Sequence, residues 1–317
     1  MIQKGRFEME NKLYDIVIVG GGPAGFTAAL YGARAGHSVL VLEKMVPGGQ
    51  MAMTENIENS PGFERIDGFT LAEKMKSAAE AAGAQTHMAE VTAMALNGKE
   101  KTITTTEGEV KARAVVLAMG AVPRTMGVAE EEEMRGRGVS YCATCDGNFF
   151  RGKTVAVVGG GNSAAEDALY LSKLCKQVYV IHRRDTLRAT RTEASRLEQA
   201  ENVTFLWNKQ VIALQHDFKL TGASLRDTQT GETSEIACDG LFVAIGRKPD
   251  TALVQDQLEC TPEGYLVADE TTRTSMPGVF AAGDVRQKPL RQIVTAAADG
   301  AVAAHFAQQY LEETEEA

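Results

Sequence analysis

The chain has 317 residues, 44% of them apolar and 24% charged, with a formal net charge of −9. That length is long for one hydrophobic core and comfortable for two. The acidic balance argues against nucleic acid or an anionic membrane as the main partner, and no apolar stretch approaches the length of a membrane span.

The opening MIQKGRFEMENKLYD mixes charges of both signs without an apolar core, so it reads as a short lead-in and not as a secretory signal. From Tyr14, YDIVIVGGGPAG begins as an apolar run suited to a buried parallel strand and breaks at Gly20-x-Gly22-x-x-Gly25. FTAALYGARAG follows with helical spacing, and SVLVLEK, Ser38 to Lys44, is a second strand carrying Glu43 near its end. Strand, glycine turn, helix, strand and acid make up a dinucleotide-binding unit. The glycines allow a tight turn and a close approach of a pyrophosphate to the helix N-terminus. An acid at the end of the second strand accepts from both hydroxyls of an unphosphorylated ribose, which suits the ADP half of FAD or NAD.

Further along, AMGAVPRTMGV interrupts the apolar pattern with proline and glycine near Val122 to Arg124 and marks a candidate crossing between domains. The acidic run Glu130 to Glu133 reads as a solvated face. YCATCDG, Tyr141 to Gly147, then places Cys142 and Cys145 three positions apart.

The strand–turn–helix–strand unit recurs from Lys153, in KTVAVVGGGNSAAEDALYLSKLCKQVYVIHRRD, with Gly159-x-Gly161-x-x-Ala164 at the turn. The offset that leads from Gly20 to Glu43 leads here from Gly159 to His182, with Arg183, Arg184 and Arg188 beyond it. A carboxylate repels a 2′-phosphate, whereas guanidiniums bind it through charge-assisted, often bidentate hydrogen bonds, so this second site suits NADPH. The plainer reading of HRRDTLR is a solvated basic helix start. Trp207, in FLWNKQV, reads as core or strand packing. A second candidate crossing, AIGRKPDTAL, falls near Pro249 to Thr251. MPGVFAAGDV, Met276 to Val285, is a short apolar run closing on Gly283-Asp284, and LRQIVTAAADGAVAAHFAQQYLEE follows as an amphipathic helix. The segment completing the first unit thus lies at the far end, and the second unit is inserted. The expected boundaries are 1–122 and 251–317 for the outer domain and 123–250 for the inserted one. The fold class is α/β with two Rossmann-like domains.

The five cysteines are Cys142, Cys145, Cys175, Cys238 and Cys260. An odd count without a secretory signal argues for a reducing, cytoplasmic setting and not a secreted disulfide framework. A structural zinc site needs four ligands, and one pair with three scattered cysteines falls short, so no metal is assigned. A C-x-x-C loop is too short to serve as a staple. A redox-active pair remains, in which one thiol is acidified and attacks a partner disulfide as its thiolate. Asp146 either exchanges a proton with the leaving thiolate or serves the Asp-Gly turn; its chemistry alone leaves both open. Cys175, placed on the helix after Gly161, and Cys238, before a strand, read as buried small apolar residues. His37, His87, His216 and His305 receive no role.

GGGPAG, PGGQ, ENSPGF, YCATCDG, GGGNSA, HRRDTLR, GVFAAGDV and LRQIVTAA together resemble the low-molecular-weight thioredoxin reductases, along nearly the whole chain from Tyr14. In the glutathione-reductase type the redox pair follows the first nucleotide motif, but that region here, VPGGQMAMTENI, contains no cysteine. The resemblance implies FAD in the outer domain, contacted by Gly48, Gly49, Gln50, Asn59, Gly283, Asp284, Arg291, Gln292 and Ile293. It implies NADPH in the inserted one, along Gly159, Gly161, Asn162, Ser163 and Ala164. It further implies Cys145 as the thiol nearer the flavin, Cys142 as the attacker of the protein substrate thioredoxin, and Asp146 as acid/base. A homodimer is also implied, as is an inserted domain that swings about the Pro/Gly crossings. Ala118-Met119-Gly120 stands where the family has a central threonine, which leaves a backbone role there and no hydroxyl. The alternative kept open is a flavin disulfide oxidoreductase acting on another protein or a small-molecule disulfide. A non-catalytic metal-binding protein is the contrasting class.

Overall fold

The apolar run Leu13–Val19 forms β1, and Val39–Glu43 forms β2. Every residue of β2 is buried, as befits a central parallel strand covered on both faces. Each such Val or Leu contributes about 1.5–3 kcal/mol on burial. Between them Pro23–Arg34 forms α1, with proline in its first turn, where its missing N–H costs nothing. A computed structural model describes residues 12–54 and 57–315; residues 1–11 of the N-terminal lead-in lie outside the described residues. The chain divides into an outer unit, residues up to Val122 with those from Lys248, and an inserted unit, Pro123–Arg247.

In the outer unit Gly68–Ala81 forms α2, capped by the Asp67 carboxylate, which accepts from the Thr70 N–H at 2.8 Å. Gln85–Met88 (β3), Val91–Ala95 (β4), Lys101–Thr105 (β5) and Gly108–Leu117 (β6) follow. The sheet order is β3-β2-β1-β6-β5-β4. Its first four strands are parallel, and β6-β5-β4 is an antiparallel meander. Ala121–Pro123 (β7) is the outward crossing.

The inserted unit opens with the two-residue strand Val139–Ser140 (β8), the short helix Ala143–Asp146 (α3) and Thr154–Val158 (β9). Asn162–Ser172 (α4), Gln177–His182 (β10), Arg191–Glu198 (α5) and Val203–Trp207 (β11) follow. Lys209–His216 (β12), Leu220–Asp227 (β13) and Thr233–Ala237 (β14) make an antiparallel sheet. Gly240–Val243 (β15) completes the parallel sheet β11-β10-β9-β15-β8. Arg247–Pro249 (β16) is the return crossing and pairs with β7. The unit therefore ends slightly before the expected boundary at 250.

Val279–Ala281 (β17) re-enters the first sheet parallel to β6, and Ile293–Glu315 (α6) packs on α1. The contact is close because Gly300 has no side chain: a Cβ there would lie 2.1 Å from the Ala24 carbonyl oxygen. One expectation and one alternative reading differ from the structure. Cys175 lies beyond the end of α4, though it is buried as expected. HRRDTLR is not a helix start, since α5 begins only at Arg191.

Candidate functional site

Both glycine turns sit where an open parallel sheet receives ligands, at the carboxyl ends of strands that have neighbours on either side. Gly20 follows β1 with φ +106°, and a Cβ there would lie 2.4 Å from the Ala118 carbonyl oxygen at the end of β6. At Gly25 a Cβ would lie 1.9 Å from the Gly20 carbonyl oxygen, so the third glycine lets α1 start against β1. Gly22 precedes α1 without a side-chain cap, leaving the first-turn N–H groups for an anion.

The PGGQ segment closes over this turn. The Gly48 N–H donates to the Gly21 carbonyl at 2.7 Å, with Gly48 at φ +108° and Gly49 at φ +56°. Gln50 follows in the short 3-10 helix Gly49–Met53. Glu43 is buried, and its carboxylate accepts from the Gly21 N–H at 2.7 Å and the Met45 N–H at 2.9 Å. Residues from distant parts of the chain meet in the same unit: the Asn59 amide donates to the Gln292 side-chain oxygen at 3.0 Å. Ile293 opens α6, and Arg291 stacks on the Tyr265 ring at 4.2 Å.

Gly283 and Asp284 lie just past β17 in a 3-10 turn that begins at Gly283 with φ +77°. The sequence reading missed what holds that turn. From α6 the Asp299 carboxylate accepts from the Gly283 N–H at 2.9 Å, from Arg286 at 3.0 Å and from Lys288 at 2.7 Å. All three side chains are nearly buried. A carboxylate in the middle of an amphipathic helix carries no sequence signal for that task.

In the inserted unit Gly159 has φ +153°, and a Cβ there would lie 2.4 Å from the Ala244 carbonyl oxygen at the end of β15. Gly161 precedes α4, again with no side-chain cap, and a Cβ there would meet nothing within 4 Å. Ala164 takes the third glycine's place and is buried, whereas Asn162 and Ser163 are exposed. The Asn162 side chain accepts from the Thr190 N–H at 2.9 Å, and the Arg188 N–H donates to the Gly160 carbonyl at 2.6 Å. These two bonds fold the basic segment back onto the glycine turn. Arg183, Arg184 and Arg188 are exposed, and none forms an ion pair among the described residues. His182 is placed differently. It is buried, and a Cβ on Gly160 would come within 2.3 Å of its ring. Burial, then Arg188, Arg184 and Arg183, push its pKa below the usual histidine range, so it is neutral at pH 7. Trp207 stacks on Phe205 at 4.7 Å, as expected of strand packing.

Cys142 and Cys145 are joined as a disulfide directly after β8, at the carboxyl end of the sheet that presents the second glycine turn. The Cys142 carbonyl accepts from the Asp146 N–H at 3.1 Å and the Cys145 N–H at 3.3 Å, closing the single turn of α3. The Asp146 carboxylate accepts from the Ser140 hydroxyl at 2.6 Å. Gly147 is helical, with φ −56°, so the Asp-Gly pair is not a left-handed turn. A Cβ there would lie 2.9 Å from the Tyr170 ring, so a larger residue would have to displace that side chain.

Glu131 was expected on a solvated face but is buried. Its carboxylate accepts from the Met126 and Gly127 N–H groups, both at 2.9 Å, and from the Tyr141 hydroxyl at 2.7 Å. An acid run hides the one member that turns inward. Cys175 and Cys238 have thiols pushed up by burial to about 11 and about 12, which keeps them protonated and inert at neutral pH. Among the described residues no group of His, Cys, Asp and Glu is arranged to hold a metal ion, and no helix is long and apolar enough to cross a membrane.

Two Rossmann-type units, one of which carries a cysteine disulfide at the same end of its sheet as its glycine turn, define a nucleotide-dependent disulfide oxidoreductase. The family model described as pyridine nucleotide-disulphide oxidoreductase matches residues 14–300. The chain belongs to that family, which uses flavin and nicotinamide cofactors, and within it to the low-molecular-weight thioredoxin reductases. It is 47% identical over 309 residues to a thioredoxin reductase of Listeria monocytogenes, covering 97% of each chain. To that of Bacillus subtilis it is 46% identical, over 97% of this chain and 98% of the relative. The crystal structure of thioredoxin reductase from Streptococcus pyogenes superposes with a TM-score of 0.89 at 43% identity, covering 96% of this chain and all of that one.

Proposed function

We propose that this protein is an NADPH-dependent flavoprotein that reduces the disulfide of thioredoxin. In this reading FAD lies in the outer unit, and NADPH lies in the inserted unit that carries the redox pair. The observation that carries the reading is the Cys142–Cys145 disulfide at the carboxyl edge of a sheet that also presents a dinucleotide turn. The residues fit both cofactors. Gly22 and Gly161 open uncapped helices, and no atom stands within 4 Å of where a Cβ on Gly161 would be. Glu43, fixed by two backbone N–H groups, keeps lone pairs for ribose hydroxyls, whereas the exposed Arg183, Arg184 and Arg188 suit a 2′-phosphate.

When bound, the two cofactors supply hydride transfer and a two-electron path to the disulfide. The chain's own residues perform the exchange. Cys142 gives up its proton and, as the thiolate, attacks one sulfur of the partner disulfide; that bond breaks, and the released partner thiolate takes up the proton that Cys142 lost. Cys145 gives its proton to Asp146 and attacks the Cys142 sulfur. This re-forms the Cys142–Cys145 bond and frees the second partner sulfur, which takes the proton from Asp146. Two electrons and two protons leave the pair and appear as the partner's two thiols.

One flavin must serve both the thiols and the nicotinamide, which share a unit. The crossings Ala121–Pro123 and Arg247–Pro249 are therefore the hinges of this account. Its working form is a homodimer in the reducing cytoplasm. The test is Cys142→Ser: NADPH still reduces the flavin, and turnover with oxidised thioredoxin is lost. Turnover that survives the substitution removes the pair from the path.

A further inference from the structure

The redox pair is held from the strand side by one hydroxyl. Ser140 is the last residue of β8, fixed in register by pairing with Phe242 of β15, and it is buried. Its Oγ accepts from the Cys142 N–H at 3.1 Å and donates to Asp146 Oδ2 at 2.6 Å. The Cys142 carbonyl lies 3.4 Å from the same oxygen, too long to compete for the single hydroxyl proton. The proton therefore belongs to the carboxylate. The next residue turns the opposite way, and the Tyr141 hydroxyl donates to the buried Glu131. Both residues preceding Cys142 are thus anchored, but only Ser140 reaches the acid.

We propose that Ser140 is a positioning residue for the thiol–disulfide exchange. It holds Asp146 by one carboxylate oxygen and the Cys142 backbone by the other side of the same hydroxyl. The acid and the loop that carries the pair then keep one geometry while the sulfur–sulfur bond opens and closes. The donated hydrogen bond also favours the ionised carboxylate, the form that takes the Cys145 proton. This inference rests on the reading of Asp146 as the acid/base given above.

The experiment is the pH profile of kcat/KM for oxidised thioredoxin, with the flavin-loaded full chain and saturating NADPH. The parent, Ser140→Ala, Ser140→Thr and Asp146→Asn are compared. Loss of a hydrogen bond to a charged group moves a pKa by about one unit, so Ser140→Ala moves the ascending limb up by that amount. Ser140→Thr, which keeps a hydroxyl, restores the parent limb. Ser140→Ala with the limb in place and a uniform loss at every pH overturns the proposal and leaves Ser140 a structural part of the loop. If Asp146→Asn keeps the parent profile, Asp146 is not the acid/base, and that reading falls together with this one. An ascending limb abolished by Asp146→Asn but untouched by Ser140→Ala removes the role of Ser140 alone. Should Ser140→Thr not fold, the alanine profile decides by itself.

Discussion

Replacing Arg183 and Arg184 together with alanine isolates the part of the account that distinguishes NADPH from NADH. Both side chains are exposed and, among the described residues, neither forms an ion pair. Their removal therefore leaves the fold within about 0.5 kcal/mol, as for other surface positions without special contacts. The buried His182 ring stays beneath Gly160 and keeps the glycine turn in shape. A hydrogen bond to a charged group contributes about 1.5–3 kcal/mol, and solvent exposure puts these contacts at the lower end. Two lost contacts amount to about 3 kcal/mol, or roughly 100-fold in kcat/KM for NADPH. NADH lacks the 2′-phosphate, so its kcat/KM stays within about twofold and the preference for NADPH collapses. The assay is flavin reduction under both nucleotides at fixed ionic strength, because the parent's preference itself weakens as salt rises. An NADPH-to-NADH ratio that stays at the parent value refutes the phosphate assignment.

The glycine at position 25 gives a steric prediction. In Gly25→Ala the new methyl meets the Gly20 carbonyl oxygen, forcing α1 off β1 at a cost of about 1–3 kcal/mol, with flavin content per chain falling in the purified protein. Asp299→Ala leaves Arg286 and Lys288 buried without their carboxylate, a loss of about 3–5 kcal/mol that appears as a lower thermal midpoint and release of flavin on dilution. Asp167 is pushed from 3.8 to about 7, first by burial and then by the Glu166 charge. Its protonated form is the one the fold favours, so its contribution to stability is complete at low pH and is lost as pH rises through about 7. In Asp167→Asn the unfolding midpoint should decline less between those limits than in the parent.

Both strand–turn–helix–strand units were legible because their physics is local. An apolar run, glycines at fixed spacing and a charged strand end lie within a short window, and the turn at Gly20 or Gly159 admits little else. Glu43 and the Arg183–Arg184 pair followed from the same register. The bonds that organise the sites were less visible. Ser140 and Asp146 meet because one turn of helix folds six positions back on themselves. Asp299 meets Gly283 across 16 positions through packing of α6 beside β17. Glu131 sits in a run of like residues, and only the fold decides which one turns inward. Cys175 was misplaced by the few residues that separate the end of α4 from β10, since helix ends carry weaker signals than helix centres.

The central claim is a path from NADPH through the flavin and Cys142–Cys145 to thioredoxin. It is tested most directly by following NADPH oxidation by the purified protein with and without oxidised thioredoxin. One stoichiometric flavin reduction is expected without thioredoxin, and continuous NADPH oxidation once it is added. Flavin bleached by NADPH with no further oxidation on adding thioredoxin would contradict it, and would leave the scaffold with a different acceptor.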